Sequence, residues 1–393
     1  MVYQLELQSL PVTTECQSKV VRMHVPLIDL ARAHESLRDR MRQVLDDVVS
    51  SSAFVGGRFV RDFEERFAYY CGSKHAVGVS SGTSALRLAL LACGVKAADE
   101  VITVPNTYIA TVEAISQTGA RPVFVDIEAE TGNMDMSLVR GAVTDRTKAV
   151  IPVHLYGHPC DMTALSQIVT GGKVMVIEDA CQAHGAEYMI DGAWFRAGSR
   201  SLAGCFSFYP TKNLGALGEG GMVVTESDEL ALKLRMLRDH GQKDKNVHTI
   251  EGSNERLHSI QAAFLSVKLR LLDKWNEERR KLAQVYAGLL EGLPLRVPKP
   301  AGHARPVYHV YVIHVEKRDA LKDFLSSKGI DTAIHYPTPV HLQPAYSHLG
   351  YRRGDFPVAE KWSGDILSLP MFVGLRRDEI EYVAGAIREF FLH

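Results

Sequence analysis

Over the first half of the chain, short runs rich in β-branched residues alternate with longer stretches whose apolar positions recur at helical spacing. "KHAVGVSS" (74–81), "EVITVP" (100–105), "RPVFVDI" (121–127), "KAVIPVHLYG" (148–157) and "KVMVIED" (173–179) predict buried strands. Between them, "TSALRLALLAC", "TYIATVEAISQTG", "MSLVRGAVT" and "MTALSQIVTGG" predict helices, several closed by a glycine. This alternation predicts an α/β fold with a mainly parallel sheet and helices on both faces. In such a sheet, ligands sit beyond the carboxyl ends of the strands.

After about residue 225 the pattern changes. "DELALKLRMLRDHG" and "ERLHSIQAAFLSVKLRLLDKWNEERRKLAQVYAGLLEGL" predict long, charged, amphipathic helices, and Pro294, Pro298, Pro300 and Pro306 mark a boundary segment. Beyond it, "VYHVYVIHV" predicts a strand, "RDALKDFLSSKG" a helix, and "RDEIEYVAGAIREFFLH" a final helix. The chain therefore divides into an N-terminal arm (1–24), a large domain (25–255), and a connecting helix with a smaller C-terminal α/β domain (256–393). The arm has weak alternation that suits either a loose leader or an extra edge strand.

Composition narrows the function classes. The 393 residues are 46% hydrophobic, enough for a sizeable core, and 45 Lys plus Arg stand against 46 Asp plus Glu. No whole-chain field favours nucleic acid or an anionic membrane, so any basic site must be local. The six cysteines form no CxxC pair, and no histidine cluster has metal-ligand spacing, so neither a disulfide framework nor a metal site is expected. The first 24 residues lack a basic start followed by an apolar core, and no run is apolar for long enough to span a bilayer. The expected protein is cytoplasmic, with free thiols.

The candidate chemistry lies at the predicted strand ends. "CFSFYPTKNLGALGEGG" (205–221) sets Lys212 between a small, hydroxyl-rich segment and a glycine-rich loop. In "VGVSSGTSALRLAL", Gly82, Thr83 and Ser84 open a helix. There they can offer N–H groups and hydroxyls to a phosphate, or simply cap the helix. "VMVIEDACQAHGA" ends a strand with Glu178 and Asp179. A carboxylate there caps a following helix, or keeps a ring nitrogen protonated. A lone lysine is ordinarily a solvated surface charge. Taken together, however, an amine for an aldehyde, a carboxylate for a pyridinium nitrogen and an anion cup for a phosphate fit pyridoxal phosphate.

With these residues in view, the chain from about Val25 resembles the sugar aminotransferases of the DegT/DnrJ/EryC1/StrS family. The matching stretches are "VPLIDL", "SSGTSALRLAL", "VPNTYIAT", "VIPVHLYGHPCDM", "IEDACQAHGA", "SFYPTKNLGALGEGGMVVT", "GSNERLHSIQAAFL" and "HYPTPVHLQPAY". The resemblance implies the aspartate aminotransferase type fold (fold type I), with a large pyridoxal phosphate domain. It also implies residue roles. Lys212 would bond to the cofactor's aldehyde and act as catalytic base and acid. Asp179 would pair with the ring nitrogen, and Gln182, one helical turn on, with the phenolic oxygen. Tyr108 would stack on the ring. Gly82, Thr83 and Ser207 would hold the phosphate, with Asn254 reaching in from a second subunit of a homodimer with shared active sites.

"DHGQKDKNVHTIEGSNERL" and "HYPTPVHLQPAYSHLG" resemble the branch that aminates C3 of nucleoside-diphosphate-linked 3-keto-6-deoxyhexoses more than the 4-keto branch. On that reading glutamate is the amino donor. His240, His335, Tyr336 and His341 line the substrate mouth, and Arg256 meets a donor carboxylate or the diphosphate. The histidines equally suit capping and backbone bonding. A 4-keto sugar, a keto-cyclitol, and a cofactor-binding regulator without turnover remain alternatives. A dehydratase relative would carry histidine in place of Lys212, and no GxGxxG opens a helix after the first strand, which disfavours a nicotinamide dehydrogenase.

Overall fold

The computed structural model describes residues 23–169 and 171–392. The expectations for residues 1–22 and for Cys16 lie outside the described residues. Seven strands form the central sheet: β1 His75–Val79, β2 Glu100–Thr103, β3 Arg121–Phe124, β4 Thr147–Val150, β5 Met175–Asp179, β6 Ala203–Ser207 and β7 Gly221–Thr225. Their order across the sheet is β1, β7, β6, β5, β4, β2, β3. β7 runs antiparallel to both its neighbours, and every other pairing is parallel. All the other strands therefore end on one edge of the sheet.

Both faces are covered, as a mainly parallel sheet requires. Side chains alternate across it: Cys205 and Val223 join Leu86, Leu90, Ala231 and Leu234 on one face, while Phe206, Met222 and Val224 join Phe63, Phe67 and Leu265 on the other. The first face is built on helices Gly82–Ala92 and Asp228–Leu237, the second on Gly57–Cys71 and Ser259–Leu269. Phe67 meets Phe206 and Phe208 edge-on, with ring centroids 5.1 and 5.4 Å apart. Burying each such ring contributes roughly 1.5–3 kcal/mol, and each edge-to-face pair about 0.5–1.5 more. Phe208, part of this aromatic block, opens the segment that carries Lys212, its N–H donating to Gly220 O and its carbonyl accepting from Ala216 N.

A third apolar cluster gathers Tyr286, Tyr311, Ile313, Leu321, Leu325, Leu367, Leu369 and Ile387. It packs helices Leu272–Leu289, Arg318–Ser327 and Arg377–Leu392 against the antiparallel pair Tyr311–His314 and Ile366–Leu369. Val25 belongs to this cluster and pairs with Ile330. Arg32 clamps Glu379 through two bonds of 2.7 and 2.9 Å. The segment that opens the described chain is thus tied to the C-terminal elements.

Three sequence expectations change. The amphipathic stretch from Glu255 to Leu293 is two helices, Ser259–Leu269 and Leu272–Leu289, separated at Arg270 and Leu271. The run 148–157 is strand only through Val150; Pro152 has no N–H to give a ladder, and the chain then turns through a short 3₁₀ segment, Leu155–Gly157. No helix follows Asp179. Residues 180–186 are successive turns that lead into a hairpin, Glu187–Ile190 with Ala193–Arg196. Cys71, Cys93, Cys160, Cys181 and Cys205 are free, as expected. No described helix is long and apolar enough to cross a membrane.

Candidate active site

The carboxyl edge of the sheet brings the predicted residues together from separate stretches of sequence. Asp179 is the last residue of β5 and is 6% exposed. Its backbone is clamped to the neighbouring segment, its N–H donating to Pro152 O at 2.9 Å and its carbonyl accepting from His154 N at 3.0 Å. Its carboxylate accepts from the Thr111 hydroxyl at 2.8 Å and from Cys181 N at 3.2 Å. Thr107 in turn meets Thr111 at 2.8 Å. A fixed carboxylate at a strand end, held in place by a hydroxyl relay, can keep a protonated ring nitrogen charged.

On the adjoining strand β6, Cys205 pairs with Asp179, and the chain continues through Ser207 into the Lys212 loop. That loop is fastened on several sides. Phe208 N donates to Gly220 O at 2.7 Å, Lys212 N to Tyr209 O at 2.9 Å, and the buried Lys268 ammonium to Gly215 O at 2.6 Å. Asn213 donates to Asn276 and to Val307 O at 2.9 and 3.0 Å. Burial lowers the pKa of Lys212 from its ordinary value, opposed by Cys181 and the Asp179 carboxylate. Burial in this way favours the neutral amine that a nucleophile and proton carrier must have.

The turn expected to hold an anion forms at a helix start. Gly82 opens helix Gly82–Ala92, and its cap Ser81 accepts from Ser84 N at 3.1 Å. A Cβ on Gly82 would stand 2.6 Å from Ser207 Cβ and 2.9 Å from Cys181 Sγ. One on Gly221 would stand 2.2 Å from Ser81 O. The absence of these side chains lets the turn at 80–82 nest against β6 and β7 with Thr83 half-buried on the first helical turn. This cradle, set beside a depressed lysine and an anchored aspartate, fits pyridoxal phosphate.

Gln182 is buried, and its Oε1 accepts from Tyr156 N at 2.7 Å while its Nε2 donates to the Tyr336 hydroxyl at 3.2 Å. A turn, rather than the expected helix, places it there. Tyr108 is 55% exposed, its ring 5.5 Å from that of Tyr336. His335 adjoins them, its Nδ1 2.7 Å from Ser368 Oγ and its carbonyl accepting from Tyr156 OH. Burial, then the nearby Lys212 charge, pushes the His335 pKa down to about 4. His335 and Tyr336 thus share the neighbourhood of Gln182, Tyr108 and Lys212.

His240, Asn254 and Arg256 form a second group. His240 is exposed, with φ of 57°, and its N–H donates to Ser253 O at 3.0 Å. Asn254 is exposed and its backbone bridges to Asp239, which is also the ion partner of Arg256. His341 goes elsewhere: it is 2% exposed, its Nε2 lies 3.1 Å from Glu360, and its ring is 4.8 Å from Phe356. Its imidazole serves packing inside the fold and is not open to an entering substrate.

Sequence reasoning missed several residues around Lys212. Thr111 fixes Asp179, and Tyr156 fixes both Gln182 and His335. His184 is fully buried between Phe206 and Phe208, with neither ring nitrogen partnered among the described residues. Burial and the Lys212 charge lower its pKa to about 3. Nothing in the periodicity of "QAHGA" distinguishes a buried neutral imidazole from a surface one.

A family profile described as the DegT/DnrJ/EryC1/StrS aminotransferase family matches residues 35–388. The chain belongs to that family. It is 46% identical over 374 residues to a protein of Geobacillus stearothermophilus named pleiotropic regulatory protein, covering 94% of this chain and 100% of that one. It is 44% identical to a dTDP-3-amino-3,4,6-trideoxy-alpha-D-glucose transaminase of Streptomyces venezuelae, covering 95% of this chain and 98% of that one. A solved structure of S. venezuelae DesV, in complex with a ketimine intermediate, superposes with a TM-score of 0.91 at 44% identity, over 94% of this chain and 99% of that one. Family membership and that superposition bear out the fold type I expectation and the aminotransferase activity.

Proposed function

We propose that this aminotransferase uses pyridoxal phosphate to move an amino group from glutamate to C3 of a nucleoside-diphosphate-linked keto-deoxysugar, in amino-sugar biosynthesis. The observation that carries the reading is the meeting, at adjoining strand ends, of a lysine lowered by burial, an aspartate anchored by Thr111, and a glycine cradle against Ser207. When bound, the cofactor supplies an electron sink for the carbon that loses its proton.

The chain's own residues supply the rest. Lys212 would hold the cofactor through its Nζ, and its free amine would take the proton from the donor's α-carbon. Asp179 would keep the ring nitrogen protonated, Gln182 would meet the phenolic oxygen, and Tyr108 would pack on the ring. Gly82, Thr83 and Ser207 would hold the phosphate. Asn254 completes the site from a second subunit of a homodimer, which agrees with its exposure. His335 and Tyr336 stand at the substrate mouth, with His240 and Arg256 toward the diphosphate. Support for the carbon and the nucleotide is the name of the S. venezuelae relative together with the motif resemblance.

A second reading, a cofactor-binding regulator without turnover, is favoured by the name of the Geobacillus relative. Adding glutamate to the loaded protein separates the two. An aminotransferase loses the visible absorption of its bound cofactor and regains it when a keto sugar is added; a regulator does neither. A panel of 3-keto and 4-keto nucleotide sugars and keto-cyclitols in the second step identifies the acceptor.

A further inference from the structure

Glu255 lies next to Asn254 in sequence, yet its side chain turns inward to the helix that opens at Gly82. Its Oε2 accepts from the hydroxyls of Ser80 and Ser84, the latter at 2.6 Å. Its Oε1 accepts from Arg87 at 2.5 Å, and Arg87 also donates to Ser253 Oγ at 3.2 Å. Ser84 Oγ lies 2.9 Å from Ser81 Oγ. The strand–turn–helix of the phosphate cup and the 253–256 segment therefore meet on one carboxylate.

A hydroxyl has one proton to give, and a carboxylate can only accept. With the Ser80 and Ser84 protons both on Glu255, the 2.8 Å contact between Ser80 Oγ and Ser84 Oγ carries no proton of its own, and Ser81 is the group left to donate in the Ser81–Ser84 contact. Ser81 Oγ also accepts Ser84 N. The Ser81 hydroxyl is thus committed inward. What remains to face an anion at the mouth of the turn is the N–H groups of Gly82 and Thr83 and the Thr83 hydroxyl. The Arg87 guanidinium offsets the negative charge of Glu255, so the carboxylate fixes direction without opposing a nearby phosphate. Burial disfavours its charged form, but Ser80, Ser84 and Arg87 outweigh burial and hold its pKa below the ordinary value.

We infer that Glu255 is a positioning residue for the phosphate cup: as the terminal acceptor for Ser80, Ser84 and Arg87, it sets the hydrogen-bond direction of the turn that holds the cofactor's phosphate. The inference rests on the assignment of the phosphate to Gly82, Thr83 and Ser207. An amide at position 255 would bring donors of its own and lose the fixed direction, and its effect should be felt only by a ligand that carries the phosphate.

The test compares pyridoxal phosphate with pyridoxal, which lacks the phosphate, by spectroscopic titration of wild type, Glu255→Gln and Ser84→Ala. Ser84→Ala cuts the link from Glu255 to Ser81 and leaves the Arg87 pair intact, so it stands in if Glu255→Gln does not fold. The expected result is about a tenfold loss of affinity for pyridoxal phosphate with affinity for pyridoxal unchanged, the size of one lost charge-assisted bond. Equal losses for both ligands, or no loss for either, would overturn the inference while leaving the phosphate assignment in place. A wild type that binds the two ligands equally would overturn the phosphate assignment and the inference with it.

Discussion

Gly82 and Ser207 come from separate strand ends and touch: a Cβ on Gly82 would lie 2.6 Å from Ser207 Cβ and 3.2 Å from its Cα. The second contact is with backbone, so a methyl group cannot be absorbed by a rotamer change. Gly82→Ala should cost about 1–3 kcal/mol of stability and open the cup. Thermal unfolding and cofactor titration check both effects. Wild-type affinity for pyridoxal phosphate in a folded Gly82→Ala protein would show that the cradle does not hold the phosphate.

Asp179→Asn keeps shape but removes the charge and one of two acceptor oxygens, so it can accept from Thr111 or from Cys181 N but not from both as Asp179 does. The variant should fold with a stability loss of about 1–3 kcal/mol and lose at least about 100-fold in kcat, because an amide cannot keep the ring nitrogen protonated. Steady-state kinetics beside a melting curve separate the two effects. Unchanged kcat would remove Asp179 from its assigned role.

The buried histidines predict an acid limit to stability. His184 is lowered to about 3 and His335 to about 4, both first by burial and then by the Lys212 charge. Unfolded imidazoles titrate near 6.5, as histidine ordinarily does. Between about pH 6.5 and 4 the unfolded chain therefore binds protons that the folded chain refuses, and stability, full above that window, falls as pH drops through it. Melting temperatures across this range should show the decline, with a shallower slope for His184→Leu. An identical slope in that variant would contradict the assignment of part of the decline to His184.

The proposed homodimer predicts complementation. Lys212→Ala and Asn254→Ala proteins should each be inactive, while mixed subunits recover part of the activity, because one of the two sites in a heterodimer keeps both residues. Activity in a wild-type monomer of defined mass, or no recovery in subunits shown to have exchanged, would contradict a shared site.

Much of this site was legible because its chemistry stands at the ends of apolar runs. "KVMVIED" announces a buried strand that terminates in two carboxylates, and Asp179 stands where the run predicts. Lys212 was legible from its setting among small residues and glycines. The strands flanking it, Ala203–Ser207 and Gly221–Thr225, escaped notice because glycine, alanine, serine and cysteine give the first little β-branched signal and a glycine opens the second. The sequence after Asp179 suits a helix or a turn equally. The backbone bonds that select the turn, such as Ala180 N to Cys205 O at 2.9 Å, join residues far apart in sequence. His341 looked like a mouth residue because a loop histidine reads the same whether it faces solvent or, as here, Glu360 and Phe356.

Under the proposed function, Lys212 carries a proton in the transfer of nitrogen to C3 of a nucleotide-linked sugar. Incubating the loaded protein with ¹⁵N-glutamate and a nucleoside-diphosphate 3-keto-6-deoxyhexose, then solving the product by NMR, tests it most directly. The expected result is ¹⁵N bonded to C3 with wild type and, with Lys212→Ala, a rate lower by at least about 1,000-fold. Nitrogen at C4, efficient labelling of a free cyclitol instead, or undiminished turnover by Lys212→Ala would contradict it.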